Sequence, residues 1–105
     1  MAKPTNLTAP EFNEFIQKND FAVIDCWSPT CGPCLMLAPV IDELASKHAN
    51  VAFAKLNVSD RENIPVASKF GVQVIPTLLV FKNGEFTKRY VGYHSAEQLE
   101  EELGL

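Results

Sequence analysis

The sequence predicts an α/β fold, a mixed sheet with helices on both faces. Three observations predict it. Phe21 to Trp27 and Val51 to Val58 are nearly continuous apolar runs, the pattern of strands buried on both faces. Segments with helical apolar spacing alternate with them. Asn83-Gly84 stands between two further apolar runs and is the strongest short hairpin signal. The chain has 105 residues, 47% hydrophobic and 21% charged, which suits one domain over residues 1–105 and excludes a disordered chain.

The elements follow in order. A short strand is expected near Asn6–Thr8. Thr8-Ala9-Pro10-Glu11 has the form of a capping box with Pro in the first turn, opening a helix to about Lys18 that buries Phe12, Phe15 and Ile16. Phe21 to Trp27 is then a strand, interrupted only by Asp25. A second helix runs from about Gly32 to His48 with Leu37, Val40, Ile41 and Leu44 on one face. Pro39 lies inside it and is expected to kink it. Val51 to Val58 is a strand in which Lys55 is anomalous. Ser59-Asp60 offers caps for a short helix ending near Phe70, with Gly71 as its stop. Thr77 to Lys82 and Glu85 to Val91 form the hairpin. Ser95-Ala96-Glu97-Gln98 caps a terminal helix with Leu99 and Leu103 inward, and Glu100-Glu101-Glu102 reads as its solvated face. The alternation implies parallel pairings, with the hairpin as an antiparallel edge.

Charge and targeting exclude several classes. A net charge of -4 argues against nucleic acid as partner. No apolar run approaches the ~20 residues that span a membrane, and no apolar segment follows the N-terminus as in a secretory signal. Three cysteines do not make a disulfide framework, which points to a reducing, cytoplasmic setting.

Cys31-Gly32-Pro33-Cys34 is the chemical centre. A C-x-x-C between a strand and a helix in an α/β chain reads as a redox dithiol. Cys31 falls at the helix mouth, where unpaired N–H groups and the macrodipole favour the thiolate, the nucleophilic form. Such a terminus contributes up to about 2 kcal/mol, worth roughly 1.5 units of thiol pKa. Gly32 lets the backbone turn, Pro33 presets the first helical turn, and Cys34 lies one turn on, within disulfide reach. A zinc half-site lacks a second ligand pair, since His48, His94 and Cys26 show no ligand spacing; no metal is expected. Inert packing fits poorly with a Gly-Pro insert at a helix start. Asp25, inside an apolar strand, should have a raised pKa and could accept the proton of Cys34; its alternative is a satisfied structural carboxylate. Lys55 either pairs with Asp25 or lets its stem snorkel to the sheet edge. Trp27 packs beneath the active-site turn or in the core, and Cys26 reads as a small buried hydrophobe, with a regulatory thiol as its alternative.

The chain resembles the thioredoxin family. The resemblance lies in Val23-Ile24-Asp25-Cys26-Trp27, Cys31-Gly32-Pro33-Cys34, Ala38-Pro39, Ala54-Lys55-Leu56-Asn57, Ile75-Pro76-Thr77, Phe81-Lys82-Asn83-Gly84 and Val91-Gly92, ordered and spaced as in the family over nearly the whole chain. It implies a thioredoxin fold, a central mixed sheet of four or five strands flanked by four helices. It implies a protein-disulfide reductase in which Cys31 attacks, Cys34 resolves, and a thioredoxin reductase-type donor recycles the pair. The partners would be client proteins with disulfides, and the chain would act as a monomer. No cofactor is expected beyond the redox-active disulfide itself. It also implies a cis Pro76 facing the dithiol, with Ile75 pairing to an extended client. Gly92 would let that client approach closely or would merely end the strand, and Gly71, Val74 and Ile75 would add an apolar docking patch. The sequence departs from the family at three client-facing positions: Thr30 stands where an aromatic is usual, Leu35 where Lys is usual, and Val74 where Gly is frequent. These departures leave open an oxidase or isomerase, and a non-catalytic docking module.

Overall fold

The computed structural model describes residues 3–105; Met1 and Ala2, where the predicted domain begins, lie outside the described residues. The order is β1 (Thr5–Leu7), α1 (Ala9–Lys18), β2 (Phe21–Trp27), α2 (Gly32–Lys47), β3 (Ala52–Asn57), a 3-10 turn (Arg61–Asn63), α3 (Ile64–Lys69), β4 (Thr77–Lys82), β5 (Glu85–Val91) and α4 (Ala96–Leu103). This is the thioredoxin fold, a five-stranded mixed sheet flanked by four helices.

Local chemistry explains most element ends. The Glu11 carboxylate accepts from the Thr8 backbone N–H at 3.0 Å and the Thr8 hydroxyl at 2.9 Å, closing the start of α1. Ser95 and Gln98 cap α4 reciprocally. Asn83 and Gly84 have φ of 53° and 82°, the left-handed pair that a two-residue hairpin turn requires. The helix between β3 and β4 differs from expectation. Ser59 spends its hydroxyl and its N–H on Asn57 Oδ1, and Asp60 makes no side-chain cap. Pro65 lacks an N–H, and the segment divides into a 3-10 turn and the short α3.

The sheet order is β1-β3-β2-β4-β5. β3 pairs parallel with β1 and β2, as the alternation implies, but β4 pairs antiparallel with central β2. The antiparallel part is therefore not an edge only. The reason is length. A parallel return must carry the chain back along the sheet, and α2, of 16 residues, spans about 24 Å, enough for seven-residue β2. α3 has six residues and spans about 9 Å. The chain re-enters at the end where β3 finished, so β4 runs the opposite way.

Alternation along the strands divides the core into two layers. Ala22, Ile24, Cys26, Ala54, Leu56, Leu79 and Phe81 pack with α1 and with Ala67 of α3. Val23, Phe53, Leu78 and Val80 pack with Leu37, Ile41 and Leu44 of α2 and with Leu99 and Leu103 of α4. α2 continues through Pro39, and Val40 is only half-buried on its face. The glutamate run is not simply solvated: Glu100 Oε2 meets His48 Nε2 at 2.7 Å and Lys47 Nζ at 2.9 Å, tying α4 to the end of α2. The His48 and Lys47 hydrogen bonds hold the Glu100 carboxyl below its ordinary value. Glu102 lies 3.6 Å from His94.

Asn63 is a buried polar staple that sequence periodicity does not reveal. Its Oδ1 accepts from the Ala9 N–H at 2.8 Å, and its Nδ2 donates to the Asn57 carbonyl at 2.9 Å. It thus joins the start of α1, the end of β3 and the start of α3. Asn63→Ala strands the Ala9 N–H, while the Asn57 carbonyl keeps the Asp60 N–H at 3.3 Å, and is expected to cost about 1–3 kcal/mol, read as a lower urea midpoint; a midpoint equal to wild type would show that water satisfies the Ala9 N–H.

Candidate active site

The site forms at the end of the sheet where β2 and β3 finish. After Trp27 the chain must leave the sheet and enter α2, and Ser28-Pro29-Thr30 makes that turn. Buried Ser28 accepts the Cys31 N–H on its carbonyl at 3.2 Å. Its hydroxyl lies 3.1 Å from the Thr30 hydroxyl and accepts the Thr30 N–H at 3.3 Å. Thr30 is therefore exposed but tethered to the turn. The role of Ser28 as anchor is visible only in the structure.

Cys31 is the N-cap of α2, in extended backbone with φ -99° and ψ 111°. Its sulfur accepts the Cys34 N–H at 3.3 Å, which is how a helix mouth stabilises a sulfur anion. Pro33 lies in the first turn, where its missing N–H costs nothing. Gly32 is not sterically obligatory, because a Cβ there would meet nothing within 4 Å. Cys31 and Cys34 form a disulfide, with Cα atoms 5.2 Å apart. The two sulfurs are not equivalent. Cys31 is partly exposed and Cys34 is only 1% exposed.

Across from the dithiol, the Ile75-Pro76 bond is cis and the Ile75 carbonyl lies 3.8 Å from the Cys31 sulfur. Pro76 is buried, and its carbonyl accepts the Gly92 N–H at 2.8 Å. Gly92 has φ 87° with open space where a Cβ would stand. Val74 is 54% exposed beside Ile75, and its carbonyl accepts the Thr77 hydroxyl. The structure thus brings Cys31, Val74, Ile75, Pro76 and Gly92 to one end of the molecule. Gly71 has a different job. It closes the α3 turn at φ 78°, and a Cβ there would lie 2.8 Å from the Arg89 guanidinium.

Asp25 lies on the face of β2 that packs against α2, since Val23 on the same face meets Leu37 and Ile41. It is 1% exposed, and neither carboxylate oxygen meets a hydrogen-bond partner among the described residues. Burial pushes its pKa up to about 7, against a smaller lowering by the Lys55 charge. Lys55 is its register partner on β3. It does not form the contact pair expected as one option; its ammonium lies over the Trp27 ring, 4.2 Å from the centroid. Trp27 and Lys55 line a cleft of about 350 Å³ with Asn57 and Asn63. The Trp27 ring therefore serves the lysine on the β3 side of the site. Cys26 faces the opposite layer, free and fully buried, and burial together with the Asp25 charge pushes its thiol up to about 12.

This arrangement suits thiol–disulfide exchange, and comparison with known proteins agrees. The thioredoxin family model matches residues 3–104. The chain is 46% identical over 98 residues to thioredoxin from Alicyclobacillus acidocaldarius subsp. acidocaldarius, covering 92% of this chain and 91% of that one. It is 44% identical over 98 residues to thioredoxin from Staphylococcus haemolyticus (strain JCSC1435), again covering 92% and 91%. Among solved structures it superposes on a mutant thioredoxin from Halobacterium salinarum NRC-1 with a TM-score of 0.87 at 34% identity, covering 94% of this chain and 86% of that one. The oxidized mitochondrial thioredoxin 3 from Saccharomyces cerevisiae superposes with a TM-score of 0.86 at 31% identity, covering 96% and 93%. The chain belongs to the thioredoxin family and is a thiol–disulfide oxidoreductase.

Proposed function

We propose that this protein is a general protein-disulfide reductase in which Cys31 attacks and Cys34 resolves. The asymmetry of the pair carries the reading: an incoming disulfide can reach Cys31, while Cys34 is held behind it at 1% exposure. The Cys31 thiolate, favoured by the Cys34 N–H and the helix mouth, attacks a client sulfur. The client S–S bond breaks, a mixed disulfide forms, and the released client thiolate takes a proton. Asp25 then accepts the proton of Cys34, and the Cys34 thiolate attacks the Cys31 sulfur. The mixed disulfide breaks, the Cys31–Cys34 bond forms, and the second client sulfur leaves as a thiol. Two electrons have passed from the pair to the client.

Ile75 supplies a backbone edge for an extended client segment, with Val74, Gly92 and Thr30 around it. Pro76 holds that edge against the dithiol. Lys55 lowers the cost of ionising Asp25. A thioredoxin reductase-type donor returns two electrons and two protons to the disulfide. The free Cys26 thiol and a cysteine count too small for a disulfide framework support work in the reducing cytoplasm.

Reduction of insulin disulfides by dithiothreitol tests this. The protein is expected to accelerate the reaction, and Cys31→Ser to return it to the dithiothreitol background. Full activity in Cys31→Ser, or no acceleration by wild type, overturns the assignment.

A further inference from the structure

Seven large apolar side chains are prominently exposed among the described residues, and six gather at the dithiol end of the sheet. Leu35 (52%) closes the first turn of α2 and Met36 (63%) opens the second, directly after Cys34. Val91 and Tyr93 flank Gly92, whose N–H bonds to Pro76. Val74 and Ile64 line a cleft of about 280 Å³ with Val72 and Ile75. Only Phe86 lies towards the other end, where it neighbours Phe81 and Phe70. Three of the segments that build this end, residues 26–36, 72–78 and 91–93, contain no Asp, Glu, Lys or Arg, while Asp60, Arg61 and Glu62 precede Ile64 on its β3 side. In a chain with 21% charged residues, an apolar face whose three segments at α2, β4 and β5 carry no charge, continuous with a reactive disulfide, is a partner surface.

We propose that Leu35 and Met36 form a specificity ledge that selects clients whose cysteine lies in an extended, uncharged segment with aliphatic neighbours. The inference rests on the reductase reading above and adds to it the class of client. The position of the client is set by two features. Its sulfur must reach Cys31, and the Ile75 carbonyl lies 3.8 Å from that sulfur. A strand laid along Ile75 has the cleft beneath Val74 on one flank of its cysteine and the Leu35–Met36 turn on the other. Aliphatic side chains on the client lose water on both flanks. A carboxylate or ammonium there is desolvated with no charged side chain in the cleft lining or in residues 26–36, which rejects charged clients. Recognition of this kind gains little from long-range attraction, so it should be insensitive to salt.

The test uses two synthetic peptides, each joined through one cysteine to 5-thio-2-nitrobenzoate. One has Leu on both sides of the cysteine and the other has Glu. The aryl thiolate is the better leaving group, so Cys31 is directed to the peptide sulfur and the released thiolate is read by absorbance. Wild type is expected to favour the Leu peptide by at least about tenfold in kcat/KM, at low and high salt alike. Leu35→Lys and Met36→Lys are each expected to shrink that ratio about tenfold, by losing the Leu peptide and gaining the Glu peptide. The gain on the Glu peptide should fall as salt is raised. Leu35 and Met36 are exposed, so neither change opens the core. Equal use of both peptides by wild type overturns the proposal, as does an unchanged ratio in both variants. A wild-type dimer that loses peptide turnover as it forms would overturn it too, giving the face to a second copy. Failure of the underlying reading looks different: wild type would then process neither peptide.

Discussion

Asp25→Ala is expected to stabilise the oxidised protein by roughly 3 kcal/mol at pH 8. The carboxyl is buried without a hydrogen-bond partner among the described residues, and its pKa is raised from 3.8 to about 7. The sign follows from proton binding. Between pH 4 and pH 7 the folded chain keeps a proton that the unfolded chain has released. Stability therefore falls as pH rises through this window and levels off above it. That rise corresponds to roughly 4 kcal/mol at pH 8, and removal of the side chain leaves a small cavity that offsets about 1 kcal/mol. Wild type should lose about 2–3 kcal/mol between pH 5 and pH 8, and the variant should lose little of it. Urea denaturation at the two pH values reads both effects. A variant less stable than wild type at pH 8 would show that the carboxylate is satisfied. The same change should slow turnover near pH 7 by at least about tenfold, because Cys34 loses its proton acceptor. Destabilisation kept for chemistry is the expected signature of a working acid–base group.

Cys34→Ser is expected to convert the protein from a catalyst into a trap. Cys31 is still at the helix mouth and still reaches client sulfur. The mixed disulfide then lacks its neighbouring thiol, which acts at a high effective molarity when held one turn away. Release should slow by at least about a thousandfold and depend on added thiol. Non-reducing electrophoresis followed by mass analysis should find each adduct on Cys31. Cys26 should carry none in the native state, being fully buried with its thiol pushed to about 12. Adducts that persist in Cys31→Ser/Cys34→Ser would move the nucleophile to Cys26 and overturn the scheme. The identity of the trapped segments also bears on the apolar ledge, since aliphatic residues should flank their cysteines.

Much of the site was legible because its chemistry is local. Cys31, Gly32, Pro33 and Cys34 are consecutive, and their place between a strand and a helix follows from apolar spacing and a proline turn. Asp25 stood out as one charge in a buried run, and its raised pKa follows from burial alone. Lys55 stood out in the same way, but its partner could not be read. Register places it beside Asp25, while its long stem carries the ammonium onto Trp27. Asn63 and Ser28 gave no signal, because one polar residue in a loop is ordinary until its backbone partners are known.

The sequence by itself determined the element bounds of β2, β4 and β5, the Asn83-Gly84 turn, the capping boxes of α1 and α4, and the dithiol at the mouth of α2. Each depends on residues within a few positions of one another, where sterics and hydrogen bonds act without help from the rest of the chain. Only the tertiary structure decided that β4 runs antiparallel to β2, because that depends on how far a six-residue α3 can carry the chain back along the sheet. It also decided which exposed apolar residues share one end of the molecule. Leu35, Val74 and Val91 lie far apart in sequence, and the ends of α2, β4 and β5 bring them to the dithiol end of the sheet.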